Sequence, residues 1–237
     1  MARNIDAVLL DFDHTIAHLG SFVRWEDARA ELLPLYRASG VSEAFLQTHE
    51  GALSLYGAVA AAGVLPEAPL RETQRRASRV LEAFEREAAT RVSVLPAASA
   101  FLRRLPELGL RAGIVTSNNM QAVRVILERD GVAAAIEAIV GRDDVARLKP
   151  SPEGLRLCCE AMSVAPERCI YAGDSVSDIE AALAAGMASF GVLAGMSSDA
   201  ELSRAGAEAV FDDLGGLLGL LEDEATSRRD ADDNGYA

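Results

Sequence analysis

Asp11-Phe12-Asp13-His14-Thr15 places two carboxylates at alternate positions directly after a short apolar run, residues 5–10. Alternate side chains of an extended chain point the same way. Asp11 and Asp13 can therefore share a hard cation, or divide the roles of nucleophile and acid/base; a helix cap or a solvated turn uses the same residue types. Gly113-Ile114-Val115-Thr116-Ser117-Asn118-Asn119 ends an apolar run in hydroxyl and amide groups ahead of a helical pattern. That arrangement offers a hydroxyl and free backbone N–H groups to a phosphate, although a plain N-cap has the same composition. Lys149, in Arg147-Leu148-Lys149-Pro150-Ser151-Pro152, is the only lysine among 23 basic residues. A compact ammonium fits between a carboxylate and a phosphate where a planar guanidinium does not; survival of one surface lysine by chance is the plainer alternative. In Gly173-Asp174-Ser175-Val176-Ser177-Asp178 the two acids either cap a helix or join the first pair in an oxygen-rich magnesium site.

Each cluster needs a strand end to hold it. Apolar runs at 5–10, 111–116, 136–140, 169–172, 188–193 and 209–211 read as strands. Helical patterns lie between or after them at 96–108, 120–129, 152–162, 178–185, 198–203 and 214–221. Strands alternating with helices predict an α/β fold, a doubly wound parallel sheet covered on both faces. Open sheets of this kind bind ligands at the carboxyl ends of their strands, where all four clusters fall. Residues 18–92 break the alternation: they carry helical stretches near 25–38, 43–62 and 68–89 and no convincing strand. The expected organisation is an α/β core over 1–17 and 93–222, a helical cap over 18–92, and a polar, disordered tail over 223–237.

A net charge of −13 argues against nucleic acid or an anionic membrane as partner. An anionic substrate must then be drawn in by local cations. No apolar run approaches the roughly 18 residues of a membrane span. Residues 5–10 stop at acids without a small-residue cleavage site, so a soluble, cytoplasmic protein is expected. Three cysteines, Cys158, Cys159 and Cys169, make no disulfide framework and read as buried apolar fillers.

Taken together, the DxDxT, strand-Thr, Lys-Pro and GDSxxD motifs resemble the haloacid dehalogenase superfamily, over residues 1–15 and 94–221. The run from Gly173 to Met187 looks like its phosphoglycolate phosphatase-like branch. The resemblance implies a Rossmann-like core with an inserted all-helical cap, and a phosphatase acting on a small phosphorylated metabolite through an aspartyl-phosphate intermediate. It implies Asp11 as nucleophile, Asp13 as acid and base, and Lys149 as the cation between Asp11 and the phosphate. Thr116, Ser117, Asn118 and Lys149 would hold the phosphoryl oxygens. Mg2+ would bind the Asp11 and Asp174 carboxylates and the Asp13 carbonyl, with Asp178 ligating directly or through water. A phosphomutase of the β-phosphoglucomutase type and a catalytically retired binding protein are the alternatives. The 103 residues from Asp13 to Thr116 leave room for the cap, and the 33 from Thr116 to Lys149 leave none for a second. His14 stands where relatives most often have Gly, as a tolerated turn residue or an imidazole near the cap. His18, Arg24 and Trp25 either touch substrate or serve surface and packing roles.

Overall fold

A computed structural model describes residues 4–234, with side chains over 4–226. The ends of the expected core and tail, 1–3 and 235–237, lie outside the described residues. The chain opens with β1 (Ala7–Leu10) and enters a helical stretch of α1 (Trp25–Ala38), α2 (Glu43–Gln47), α3 (Ala52–Ala61) and α4 (Glu67–Ala89). It continues through α5 (Pro96–Arg104), β2 (Arg111–Val115), α6 (Met120–Arg129), β3 (Ala138–Val140), α7 (Glu153–Met162) and β4 (Cys169–Gly173). It ends with α8 (Val176–Ala185), β5 (Ala188–Val192), α9 (Asp199–Ala205), β6 (Ala209–Phe211) and α10 (Leu214–Asn234). The six strands form one parallel sheet in the order β3-β2-β1-β4-β5-β6.

Strand periodicity divides the core between the two faces. Val8, Leu10, Ile114 and Ile170 face one side, packed with Phe101, Ile126 and Leu217. Leu9, Val115 and Tyr171 face the other, with Leu155, Cys158 and Met162. All three cysteines are buried and free, as fillers should be. The first cluster runs on without a break into the helical insertion, through Leu32, Leu55, Ala77 and Leu81. The insertion leaves and rejoins the sheet at one place: Ala17 and Val94 form an antiparallel bridge, and the Leu95 N–H donates to the Ile16 carbonyl at 2.8 Å.

The structure differs from the sequence reading at three elements. The helix expected over 43–62 is two, α2 and α3, because the Arg29 guanidinium takes the Leu46 carbonyl at 3.0 Å and the His49 carbonyl at 3.0 and 3.1 Å. Carbonyls at the end of α2 thereby gain partners without further helix. The helix expected over 96–108 tightens to a 3-10 turn from Leu105 and stops at the left-handed Gly109. The last helix, expected over 214–221, runs on to Asn234 as α10. Residues 223–229 hold no Gly or Pro, so nothing local breaks a helix already begun.

Candidate active site

β1 is central, so the residue after it stands between those that follow β2 and β4. Asp11 continues the ladder, its N–H donating to the Ala172 carbonyl at 2.9 Å, and Thr116 does the same to Val140 at 3.0 Å. Lys149 reaches this point from the loop before α7. Its Nζ lies 2.5 Å from Asp11 Oδ1, 2.6 Å from Asp178 Oδ1, 3.0 Å from the Tyr171 hydroxyl and 3.3 Å from the Val115 carbonyl. Burial works against its charge, but Asp11 and Asp178 outweigh burial and hold the ammonium well above the ordinary lysine range. Tyr171 is a site residue that the sequence reading missed. It looks like any buried strand residue, yet its hydroxyl also donates to Asp178 Oδ1 at 3.0 Å.

Asp178 sits at the third position of α8, where its Oδ2 accepts from the Ser175 N–H at 3.1 Å and the Ser175 hydroxyl at 2.6 Å. A Cβ on Gly173 would stand 2.5 Å from Asp178 Cγ, so this approach requires glycine. Asp174 Oδ2 accepts from the Met196 N–H at 2.9 Å.

Asp11, Asp174 and Asp178 each bring a carboxylate oxygen within 4.8 Å of the others, all three buried. Burial is the main cause that raises Asp11 well above the carboxylate range; Lys149 opposes it, and Asp178 and Asp174 add to it. Burial and then Asp178 push Asp174 up to about 6. Three buried oxygen donors that disfavour one another's charge fit a hard divalent cation.

The same donors make a prediction about the metal-free protein. Asp174 is raised in the fold, so its contribution to stability is complete below the ordinary value of 3.8 and is lost as pH rises through about 6. At about 1.4 kcal/mol per pKa unit, the loss by neutral pH is on the order of 3 kcal/mol. In chelator, Asp174→Asn should therefore melt several degrees above the parent at neutral pH and no higher near pH 4, and magnesium should raise the parent alone. Equal melting of the two proteins at both pH values would contradict this.

The Asp13 carboxylate lies apart from the other three, its Oδ1 accepting from the Gly20 N–H at 2.8 Å. The Asp13–Ala17 bridge runs through the His14 N–H and the Phe12 carbonyl rather than through the backbone groups of Asp13 itself. Burial raises Asp13, with the Gly20 N–H pulling the other way. His14 adopts a left-handed φ of 62°, a conformation glycine takes at no steric cost. Its ring nitrogen Nδ1 meets that of His18 at 3.1 Å, and its Nε2 is 3.9 Å from Asp13 Oδ1. Arg24 is engaged by Asp27 at 2.5 Å and Glu87 at 3.0 Å, and the Trp25 indole N–H by the Gly20 carbonyl at 2.9 Å.

In the strand-Thr loop, the Thr116 hydroxyl donates to Asn118 Oδ1 at 3.0 Å and accepts from the Asn118 N–H at 3.1 Å. A second missed feature stands behind it. Glu85 of α4 and Arg142, both fully buried, pair at 2.9 Å and bind this loop from the insertion side. In sequence they look like two of many charges on solvated surfaces.

Among the described residues, no helix is long and apolar enough to cross a membrane. A family model of haloacid dehalogenase-like hydrolases matches residues 8–192. The chain is 33% identical over 216 residues to a phosphoglycolate phosphatase of Rhodospirillum rubrum, covering 89% of this chain and 88% of that one. It is 27% identical to the Salmonella typhimurium phosphoglycolate phosphatase, over 93% of this chain and 85% of that one. A solved hydrolase from Pseudomonas syringae shares the fold at a TM-score of 0.66 and 22% identity, over 92% and 98% of the two chains. So does a hydrolase from Deinococcus radiodurans, solved with bound phosphate and sodium, at 0.62 and 23%, over 94% and 97%.

Proposed function

The chain belongs to the haloacid dehalogenase-like hydrolase family, and on that basis we propose that it is a magnesium-dependent phosphatase of small phosphomonoesters. The phosphoglycolate named for its relatives is the first substrate to try. The observation that carries the reading is Lys149, buried between the carboxylates of Asp11 and Asp178 at the carboxyl edge of a parallel sheet.

Asp11 attacks phosphorus, and its oxygen forms a bond to phosphorus as the ester P–O bond breaks. Asp13 supplies the proton that the departing oxygen needs; burial, which raises its pKa, favours the acid form. In the second half, Asp13 takes a proton from water as the water oxygen attacks the phosphoryl group on Asp11, releasing phosphate and restoring both carboxyls. Lys149 neutralises Asp11 so that a carboxylate can approach a phosphate dianion. Thr116, Ser117 and Asn118 present the hydroxyl and backbone groups for the phosphoryl oxygens. Asp11, Asp174 and the Asp13 carbonyl would hold magnesium, with Asp178, whose oxygens are already engaged, acting through water. Bound there, the metal supplies charge neutralisation for the transferring group. The insertion covers this edge and selects the leaving group.

The test is phosphate release from phosphoglycolate and an aryl phosphate, with magnesium and with chelator. Activity unchanged by chelator would remove the metal from the proposal, and no release from any phosphomonoester would remove the phosphatase.

Gly20 gives a further check on Asp13. A Cβ at this position would stand 2.2 Å from Asp13 Oδ2, so alanine must push the carboxylate aside. Gly20→Ala should lower kcat by about tenfold to a hundredfold, roughly 1.4–2.7 kcal/mol of barrier, with the melting temperature nearly unchanged. A full-speed Gly20→Ala enzyme would show that the place of the Asp13 carboxylate does not matter.

A further inference from the structure

We infer that Glu85 and Arg142 are positioning residues for the Ser117–Asn119 loop, through which the helical insertion sets the shape of the phosphate site; this rests on the reading of that loop as the phosphate site. Neither side chain has any exposure to solvent. Arg142 places all five of its N–H donors. Nε donates to the Ser78 hydroxyl at 3.2 Å, Nη1 to Glu85 Oε1 at 2.9 Å and the Ser117 carbonyl at 3.0 Å, and Nη2 to Glu85 Oε2 at 2.9 Å and the Ser78 carbonyl at 3.5 Å. Glu85 fills its remaining acceptor sites from the loop, Oε1 from Asn118 Nδ2 at 3.1 Å and Oε2 from the Asn119 N–H at 3.2 Å. The Arg142 backbone N–H holds the Asn118 carbonyl at 3.1 Å.

Three consecutive loop residues are thus tied to one ion pair, half of which belongs to α4. A planar trans peptide turns its carbonyl and N–H in opposite directions. With the Ser117 carbonyl fixed on Arg142, the Asn118 N–H of the same peptide unit must face the other way, toward the Thr116 hydroxyl. The pair therefore orients the groups assigned to the phosphoryl oxygens without touching substrate. The charge of the pair is not what docking calls for: apolar residues of similar volume often replace the two charges of a buried ion pair at little loss of stability. What apolar residues cannot supply is the direction of these peptide groups.

The paired variant Glu85→Met/Arg142→Met separates the two roles, because it removes both charges and leaves neither unpaired. Orthovanadate and inorganic phosphate, as inhibitors of aryl phosphate hydrolysis, report on the loop. The paired variant leaves the Ser78, Ser117, Asn118 and Asn119 groups without these partners, so it should melt below the parent yet stay folded at assay temperature, weaken both inhibitors at least tenfold, and raise KM for the aryl phosphate more than it lowers kcat. A folded variant with parental inhibition constants and KM would overturn the inference. A second measurement needs no variant: hydrogen exchange of the wild type with magnesium, with and without orthovanadate. Slowed exchange in both 116–119 and 78–89 supports the coupling, and protection confined to 116–119 overturns it. A wild type that neither inhibitor affects would instead defeat the reading of the loop as a phosphate site, and the inference with it.

Discussion

Asp11→Asn should lower kcat by roughly a thousandfold or more, about 4 kcal/mol of barrier, and should not destabilise the metal-free fold. An amide has no anionic oxygen to bond to phosphorus, so the covalent route is closed rather than slowed. The size and the contacts survive: Asn Oδ1 can still accept from Lys149, which lies 2.5 Å from Asp11 Oδ1. The change also removes one of three mutually repelling buried carboxylates, since Asp174 and Asp178 both push Asp11 up. Melting in chelator should therefore hold or rise while turnover vanishes, a combination that a merely misfolded variant cannot produce. Turnover within about tenfold of the parent, roughly 1.4 kcal/mol, would end the case for a phosphorylated Asp11.

Lys149→Arg should be nearly as damaging as Lys149→Ala, each lowering kcat/KM by at least about a hundredfold, roughly 2.7 kcal/mol. Charge is conserved in the first, so the loss must come from shape. The ammonium converges on Asp11, Asp178, Tyr171 and Val115 from one atom, with the side chain only 8% exposed. A guanidinium spreads its donors over a plane, and it cannot bring one nitrogen into that cage without thrusting the others against the Tyr171 ring or toward the phosphoryl group. Lys149→Ala fails differently, leaving the negative charge of Asp11 and Asp178 without its cation. Steady-state kinetics on both variants, with melting curves as the control for folding, decide the matter. A stable Lys149→Arg protein with parental kcat/KM would make the single lysine an accident of composition.

The sheet and its strand-end motifs were legible because local signals and global position agree. A four-residue apolar run, Ala7–Leu10, is buried at every position and ends in the acid that follows it. The lone lysine could be read for the same reason: composition made one residue stand out, and the fold gave it a place. Glu85 and Arg142 could not be read. The pair joins residues 57 positions apart, and nothing on α4 distinguishes Glu85 from Glu82 or Glu87 until the helix is packed. The Thr116–Asn118 exchange of hydrogen bonds was equally hidden, because a side chain that caps its own loop has the same spelling as one that waits for a ligand. Arg29, which divides α2 from α3, acts across tertiary space as well.

The place of β1 at the centre of the sheet has a consequence for synthesis. β1 is made before every other strand of its sheet, yet its partners are Arg111–Val115 and Cys169–Gly173. At about 5–20 residues per second, the first of these follows by roughly 5–20 s and the second later still. During that interval α1–α4 emerge and can pack on one another, while Ala7–Leu10 waits as an unpaired apolar edge, the kind of segment that associates with other chains. Asp11 is thus made early and assembled late: until Asp178 has been added, Lys149 lacks one of the two carboxylates that hold it.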